Sequence, residues 1–202
     1  MVELRSRLVL ASASPFRRRM LEAAGLAFGV VAPDVDEAAV KSGLLGSGAT
    51  LKEIAQGLAV AKAEVVSTGL PDALVIGADQ VLACGAEMFN KPASVAEARE
   101  QLVRLRGKTH ELHTAVAVAA GGKVVWTRLA TATLAMRSFS DAFLAQYLAI
   151  AGDRVLRTVG AYEIEGLGIQ LMEKIEGDMF TVIGLPLLAL LSELRARGAV
   201  AT

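Results

Sequence analysis

Apolar and polar positions fall along this chain in blocks whose period changes from segment to segment. Leu8–Ala11 is a short continuous apolar run, the pattern of a strand covered on both faces. Ser14 and Pro15 follow as an N-cap and a first-turn proline, predicting a helix to about Ala24 that Gly25 ends. Residues 26–49 read as a second strand and then a loop rich in glycine and acidic residues. Thr50-Leu51-Lys52-Glu53 is a capping-box pattern that opens a helix to about Ser67. The run "ALVIGAD" (73–79) predicts a buried strand ending in a carboxylate, and Ser94-Val95-Ala96-Glu97 repeats the capping pattern for a helix ending near Gly107. From Thr109 to Met136 two long apolar, β-branched stretches flank Gly121-Gly122, as in a hairpin. Ser138–Ala151 reads as a helix, "AYEIEGLGIQLMEKIEGDMFTVIG" as strands and tight turns, and Pro186 opens a terminal helix to about Arg197. Helices alternating with strands that include a hairpin predict an α/β fold on a mixed sheet. There is no internal repeat or low-complexity linker, and a boundary between lobes is expected near residue 138.

Composition narrows this picture. A chain of 202 residues suits one domain or two closely joined lobes, and 53% hydrophobic content argues for a packed core. Lysine plus arginine equals aspartate plus glutamate at 21 each, so nothing in the overall charge points to nucleic acid, and any anion site must be local. The single Cys84 cannot form an internal disulfide, which fits a cytoplasmic setting, and it reads as a small apolar residue. Arg5 and Arg7 before "LVLASA" imitate a signal peptide, but four apolar residues fall short of the roughly 7–15 of an h-region. "VIGLPLLALL" is far below the roughly 20 residues that span a bilayer, so a soluble protein with no membrane partner is expected.

Local chemistry concentrates in "LASASPFRRR". A strand, a Ser-rich turn and a helix start present unpaired N–H groups, the hydroxyls of Ser12 and Ser14 and the positive end of a helix dipole to one point, where phosphate oxygens bind. Arg17 and Arg18 add forked donors suited to phosphate; the alternative is an ordinary capped helix with a solvated basic face. In the helix from Leu51, Ile54, Ala55, Leu58, Ala61 and Val65 fall on one apolar face, with Lys52, Glu53, Gln56 and Glu64 opposite and Lys62 in the middle of the apolar face. Lys62 either snorkels from there or reaches an anionic ligand in a cleft. Asp79 ends a buried strand, where ligands gather in open α/β sheets. Asp34, Asp36, Glu37 and Lys91 complete a set of carboxylates for a hard divalent cation and ammonium groups for phosphates.

Other motifs fail. "LVRLRGKT" ends like a P-loop, but Leu102 stands where that loop needs its first glycine. His110 and His113 in "HELH" are three apart, which on a strand sends them to opposite faces and excludes a shared zinc. "EGLG" (165–168) is a glycine turn.

The fragments "LASASPFRR", "DVDE", "AKA", "IGADQV", "NKP", "GKTHELHTAV", "EGLGI" and "VIGLPL", in this order from about Leu8 to Leu194, resemble the Maf family of nucleoside triphosphate pyrophosphatases. The resemblance implies one domain over 1–202 with an elongated, two-lobed, inosine-triphosphatase-like fold, a nucleotide cleft between the lobes and a homodimer. It also implies hydrolysis between the α- and β-phosphates with Mg²⁺ or Mn²⁺. Ser12, Ser14, Arg17 and Arg18 match the family's phosphate-binding motif, and Glu37, Lys62, Asp79 and Lys91 the polar residues of its catalytic cleft. Asp79 matches the proton acceptor; it either activates water or, with Glu37, holds the metal. The family divides into a branch acting on dTTP and UTP and one acting on 7-methyl-GTP. Phe16, Gln80 and Glu165 stand where the second branch has an aromatic, Gln and Glu, whereas Gly160-Ala161-Tyr162 is closer to the wording of the first. Methylation at N7 makes guanine cationic, so an aromatic face can stack on it, and a carboxylate can accept from guanine N1–H and its amine. A non-catalytic nucleotide-binding regulator linked to septum formation is the rival from another class.

Overall fold

The computed structural model describes residues 7–201; Arg5 of the signal-like segment lies outside them. A seven-stranded mixed sheet has the order β2-β1-β3-β5-β6-β7, with β4 paired to β3. The strands are β1 (Arg7–Ala11), β2 (Gly29–Val31), β3 (Ala73–Cys84), β4 (Glu87–Phe89), β5 (Thr109–Ala120), β6 (Lys123–Met136) and β7 (Met172–Glu176). The helices are α1 (Pro15–Ala23), α2 (Glu37–Gly46), α3 (Leu51–Thr68), α4 (Val95–Leu105), α5 (Asp141–Ala151), α6 (Met179–Ile183) and α7 (Leu187–Ala196). Among the described residues no helix is long and apolar enough to cross a membrane.

The chain forms two compact units. The first holds residues up to Asp79, Thr114–Ala130 and the segment from Gly184 onward; the second holds Gln80–His113 and Thr131–Ile183. The chain therefore passes between units inside β3, β5 and β6 and at the end of α6.

In the first unit β1 runs parallel to both neighbours, with Ala11 opposite Val31 of β2 and Gly77 of β3. Parallel strands buried on both faces need unbroken apolar sequence, and Leu8–Ala11 supplies it. Val9, Ala11, Val75 and Val66 of α3 form one apolar cluster. The hairpin turns at Gly121 (φ 56°) and Gly122 (φ 78°), the two left-handed positions of a tight two-residue turn, and Gly122 N–H donates to Ser67 at the end of α3 (3.0 Å).

Residues 37–46, expected as loop, are helix. Asp36 caps it by accepting from Ala39 N–H (2.9 Å), and Glu37 follows in the first turn, where a carboxylate complements the helix dipole. The half-buried positions of α2 are Glu37, Val40, Lys41 and Leu44, one helical face, but two of the four are charged, so the sequence shows no continuous apolar stripe and its glycines read as loop.

In the second unit α4 and α5 cover a core that includes Leu82, Leu102, Leu112, Leu134 and Tyr147. The stretch from Ala161, expected as strands and tight turns, holds a turn, a 3-10 helix (Leu167–Leu171) and one strand, β7, and then ends in the helix α6, which was not expected. At the start of this stretch Gly160 (φ 79°) and Ala161 (φ 60°) both adopt left-handed backbone, and Tyr147 Oη donates to the Ala161 carbonyl (2.9 Å). His110 and His113 do find separate partners: Nε2 of His110 pairs with Tyr162 Oη (2.7 Å), and Nδ1 of His113 with Thr131 Oγ1 (3.1 Å).

His110 is buried, and burial pulls its pKa from 6.5 down to about 4. The unfolded chain then binds the proton first, so stability is fully present above pH 6.5 and is lost as pH falls toward about 4. Urea unfolding of the wild type should lose roughly 2–3 kcal/mol over that window, and His110→Gln should show a flatter profile. Two equally steep profiles would show that another group controls the acid limb.

Candidate active site

The site of the first unit begins at the turn after β1. Ser14 caps α1 by accepting from Arg17 N–H (3.4 Å), and Ser14 N–H donates to Ser12 Oγ (3.1 Å). Arg17 folds back over this turn: Nη1 reaches Ser12 Oγ (3.5 Å) and Nε donates to the Gly184 carbonyl (2.8 Å). Gly184 has φ 124°, a backbone that excludes most side chains. Desolvation pulls the Arg17 guanidinium below its ordinary value, while the charges of Asp79 and Glu37 push it back up. Arg17 thus shares its electrostatic environment with the two expected catalytic carboxylates.

Those carboxylates meet at Lys62. Its ammonium lies 2.6 Å from Asp79 Oδ1 and 2.7 Å from Glu37 Oε1. Lys62 and Asp79 are 6% and 7% exposed, so the lysine does not snorkel to solvent; its charge is neutralised inside the fold. The buried stripe of α3 is Ile54, Ala55, Leu58, Ala59, Lys62, Ala63, Val66 and Ser67, with Val65 exposed. That stripe is rotated from the expected face, yet Lys62 is central to it.

Asp79 does not end its strand. β3 continues to Cys84, with Leu82 opposite Phe89 of β4, and Asp79 sits mid-strand. A carboxylate is tolerated there because Lys62 pairs with it. The approach of α3 depends on Gly77: a Cβ at that position would lie 2.6 Å from Ala63 N and 2.9 Å from Ala63 Cβ. Gly77 and Asp79, two apart on a strand, share the face that meets α3.

The other two arginines of the run go elsewhere. Arg18 is exposed and pairs with Glu22 (2.7 Å), and the Arg19 guanidinium lies over the Phe16 ring, 5.1 Å from its centroid.

The second unit carries the remaining expected residues. Gln80 Nε2 donates to the carbonyls of Thr181 (3.0 Å) and Val182 (3.1 Å), in the last turn of α6, where helix carbonyls lack partners of their own. Lys91 is exposed between β4 and α4, and Glu165 is exposed in the turn before Gly166.

Among the described residues no group of three or more His, Cys, Asp or Glu side chains is placed to hold a metal. Asp79 and Glu37 nonetheless converge on one cationic nitrogen, so both can address one cation. Two carboxylate ligands are what Mg²⁺ commonly takes from a protein when phosphates and water complete its shell. The donor set fits such an ion.

Residues 7–197 match the family described as Maf-like protein. The chain belongs to the Maf family. It is 50% identical over 194 residues to a 7-methyl-GTP pyrophosphatase of Rhizobium johnstonii, covering 96% of this chain and 98% of the relative. A protein of the same name from Brucella suis is 51% identical over 189 residues, covering 94% and 95%. A nucleoside triphosphate pyrophosphatase of Caulobacter vibrioides is 49% identical over 191 residues, covering 95% and 96%.

Of the residues that match the Maf motifs, the structure brings together Ser12, Ser14, Arg17, Glu37, Lys62 and Asp79. Three features of this Maf chain were not read from the sequence: α2 as the carrier of Glu37, the Gly184 carbonyl as a rest for Arg17, and the use of the Gln80 amide on α6. The first had a signal in Asp36-Glu37, a cap followed by a first-turn acid. The other two are contacts between residues more than 100 apart and had none.

Removing one member of a buried ion pair leaves the other charge uncompensated. Lys62→Met should lower unfolding free energy by about 3–5 kcal/mol, and adding Asp79→Leu should recover most of that loss. Urea denaturation of the two variants checks this; a loss under about 1 kcal/mol for Lys62→Met would mean that the pair is not buried as described.

Proposed function

We propose that this protein is a nucleoside triphosphate pyrophosphatase, hydrolysing the bond between the α- and β-phosphates to give a nucleoside monophosphate and pyrophosphate, with 7-methyl-GTP or a similarly modified nucleotide as preferred substrate. The observation that carries the reading is the Lys62 ammonium held between Asp79 and Glu37 in a cluster that includes the inward-folded Arg17. The names of its relatives at about half identity support the reaction and the base.

In this reading residues 1–202 act as one Maf-like domain. Asp79 accepts a proton from the attacking water, whose oxygen bonds to the α-phosphorus, and pyrophosphate leaves with the electron pair of the broken P–O bond. Lys62, Arg17, Arg18 and Lys91 neutralise the triphosphate and the charge that grows on the leaving group. Ser12 and Ser14, with the α1 N-terminus, hold phosphate oxygens. Asp79 and Glu37 would hold Mg²⁺ or Mn²⁺, which supplies further neutralisation of phosphate charge. Phe16 stacks on the base, Glu165 accepts from the guanine edge, and Gln80 serves the same selectivity through its hold on α6. The setting is cytoplasmic, and the active form is a homodimer, as the resemblance to the family implies.

Pyrophosphate release should be measured with 7-methyl-GTP, GTP, UTP, dTTP, CTP and ITP and either metal. The 7-methyl-GTP reaction should be fastest. A strong preference for UTP and dTTP would move the chain to the pyrimidine branch with its chemistry unchanged. Asp79→Asn should keep nucleotide binding and lose about 10²–10⁴ in rate. Wild-type turnover in that variant would remove Asp79 from its role, and binding without turnover by the wild type would favour the regulatory alternative.

A further inference from the structure

Three consecutive arginines at the start of α1 have three destinations. Arg17 turns inward to Ser12 and Gly184, Arg18 turns along the helix to Glu22, and Arg19 lies over the Phe16 ring. Phe16 and Arg19 are one helical turn apart, so their side chains are neighbours on the helix surface. Phe16 is half-buried and Arg19 exposed.

We propose that Arg19 is a specificity-determining residue: its guanidinium competes with a cationic base for the face of Phe16 and so limits the preference for N7-methylated over unmethylated guanine. The inference rests on the reading of Phe16 as a base contact. The face of an aromatic ring carries a negative potential that attracts a cation within about 6 Å of its centroid. The guanidinium at 5.1 Å satisfies that attraction. A cationic 7-methylguanine arriving at the ring must either displace Arg19 or stack on the opposite face of a ring already polarised by a cation, with like charges on its two sides. Displacing Arg19 costs either base the same guanidinium–ring contact, so the two differ in the second arrangement, where only the methylated base meets a like charge across the ring. Arg19 therefore weighs more against the methylated base than against the unmethylated one.

The two nucleotides carry the same triphosphate, so any interaction of Arg19 with phosphate cancels in the ratio of their kcat/KM values. That ratio should be measured from pyrophosphate release for the wild type, Arg19→Gln, Phe16→Leu and the double variant. Arg19→Gln should raise the ratio of 7-methyl-GTP to GTP about two- to fivefold, the size of one exposed cation–π contact. In the Phe16→Leu background the same substitution should leave the ratio unchanged. If Phe16→Leu alters the ratio while Arg19→Gln leaves it unchanged or lowers it, the proposal is overturned and the role of Phe16 stands. If Phe16→Leu itself leaves the ratio unchanged, the reading of Phe16 as a base contact fails first. A shift from Arg19→Gln that persists without the Phe16 ring would also overturn the proposal, because the effect would not pass through the ring.

Discussion

The close approach of α3 to β3 at Gly77 is the constraint on which the rest of the site depends. With no side chain at Gly77, the backbone around Ala63 lies almost against the strand, and Lys62, one residue before Ala63, projects to the carboxylate of Asp79. A larger residue would separate helix and strand by the thickness of a methyl group or more, a displacement comparable to the whole margin between a hydrogen-bonded ion pair and an unpaired one. An ammonium and a carboxylate out of water are tolerable only while they touch. Glu37, brought to the same ammonium by α2, leaves an excess of negative charge beside the Arg17 guanidinium. Two carboxylates and two cations thus balance one another inside the fold.

Alternation along β3 divides two tasks between neighbours. Asp79 faces α3 and joins the ion cluster; Gln80 points the other way and fastens the last carbonyls of α6. A glutamine suits the second task because one amide nitrogen has two N–H groups for two carbonyls, whereas a threonine hydroxyl has one. The residue after the acid therefore fixes the end of a helix about 100 positions along the chain. The arginine run shows the same economy, since three identical side chains differ in role because helix geometry and local partners send each in its own direction.

Much of the fold was legible from pattern. The apolar run Leu8–Ala11, the capping residues Ser14, Thr50 and Ser94 and the Gly121-Gly122 turn each act within a few residues, and each reads the same in sequence and in structure. The failures have physical causes too. The half-buried face of α2 carries Glu37 and Lys41 beside Val40 and Leu44, so no apolar stripe marks it; a carboxylate in a buried strand looks like its end until its partner is known; and α6, only five residues long, is too short for a helical period to stand out.

The sequence by itself determined the local elements, the order of motifs that mark a Maf-family chain, and the anomaly of a lysine on an apolar face. Only the tertiary structure decided what that lysine does, which arginine joins the carboxylates, and that the Gly184 carbonyl and α6 are held by side chains distant along the chain. The reason is range: caps and turns are settled by interactions over three or four residues, whereas a buried charge is defined by whatever partner the fold brings within about 3 Å of it.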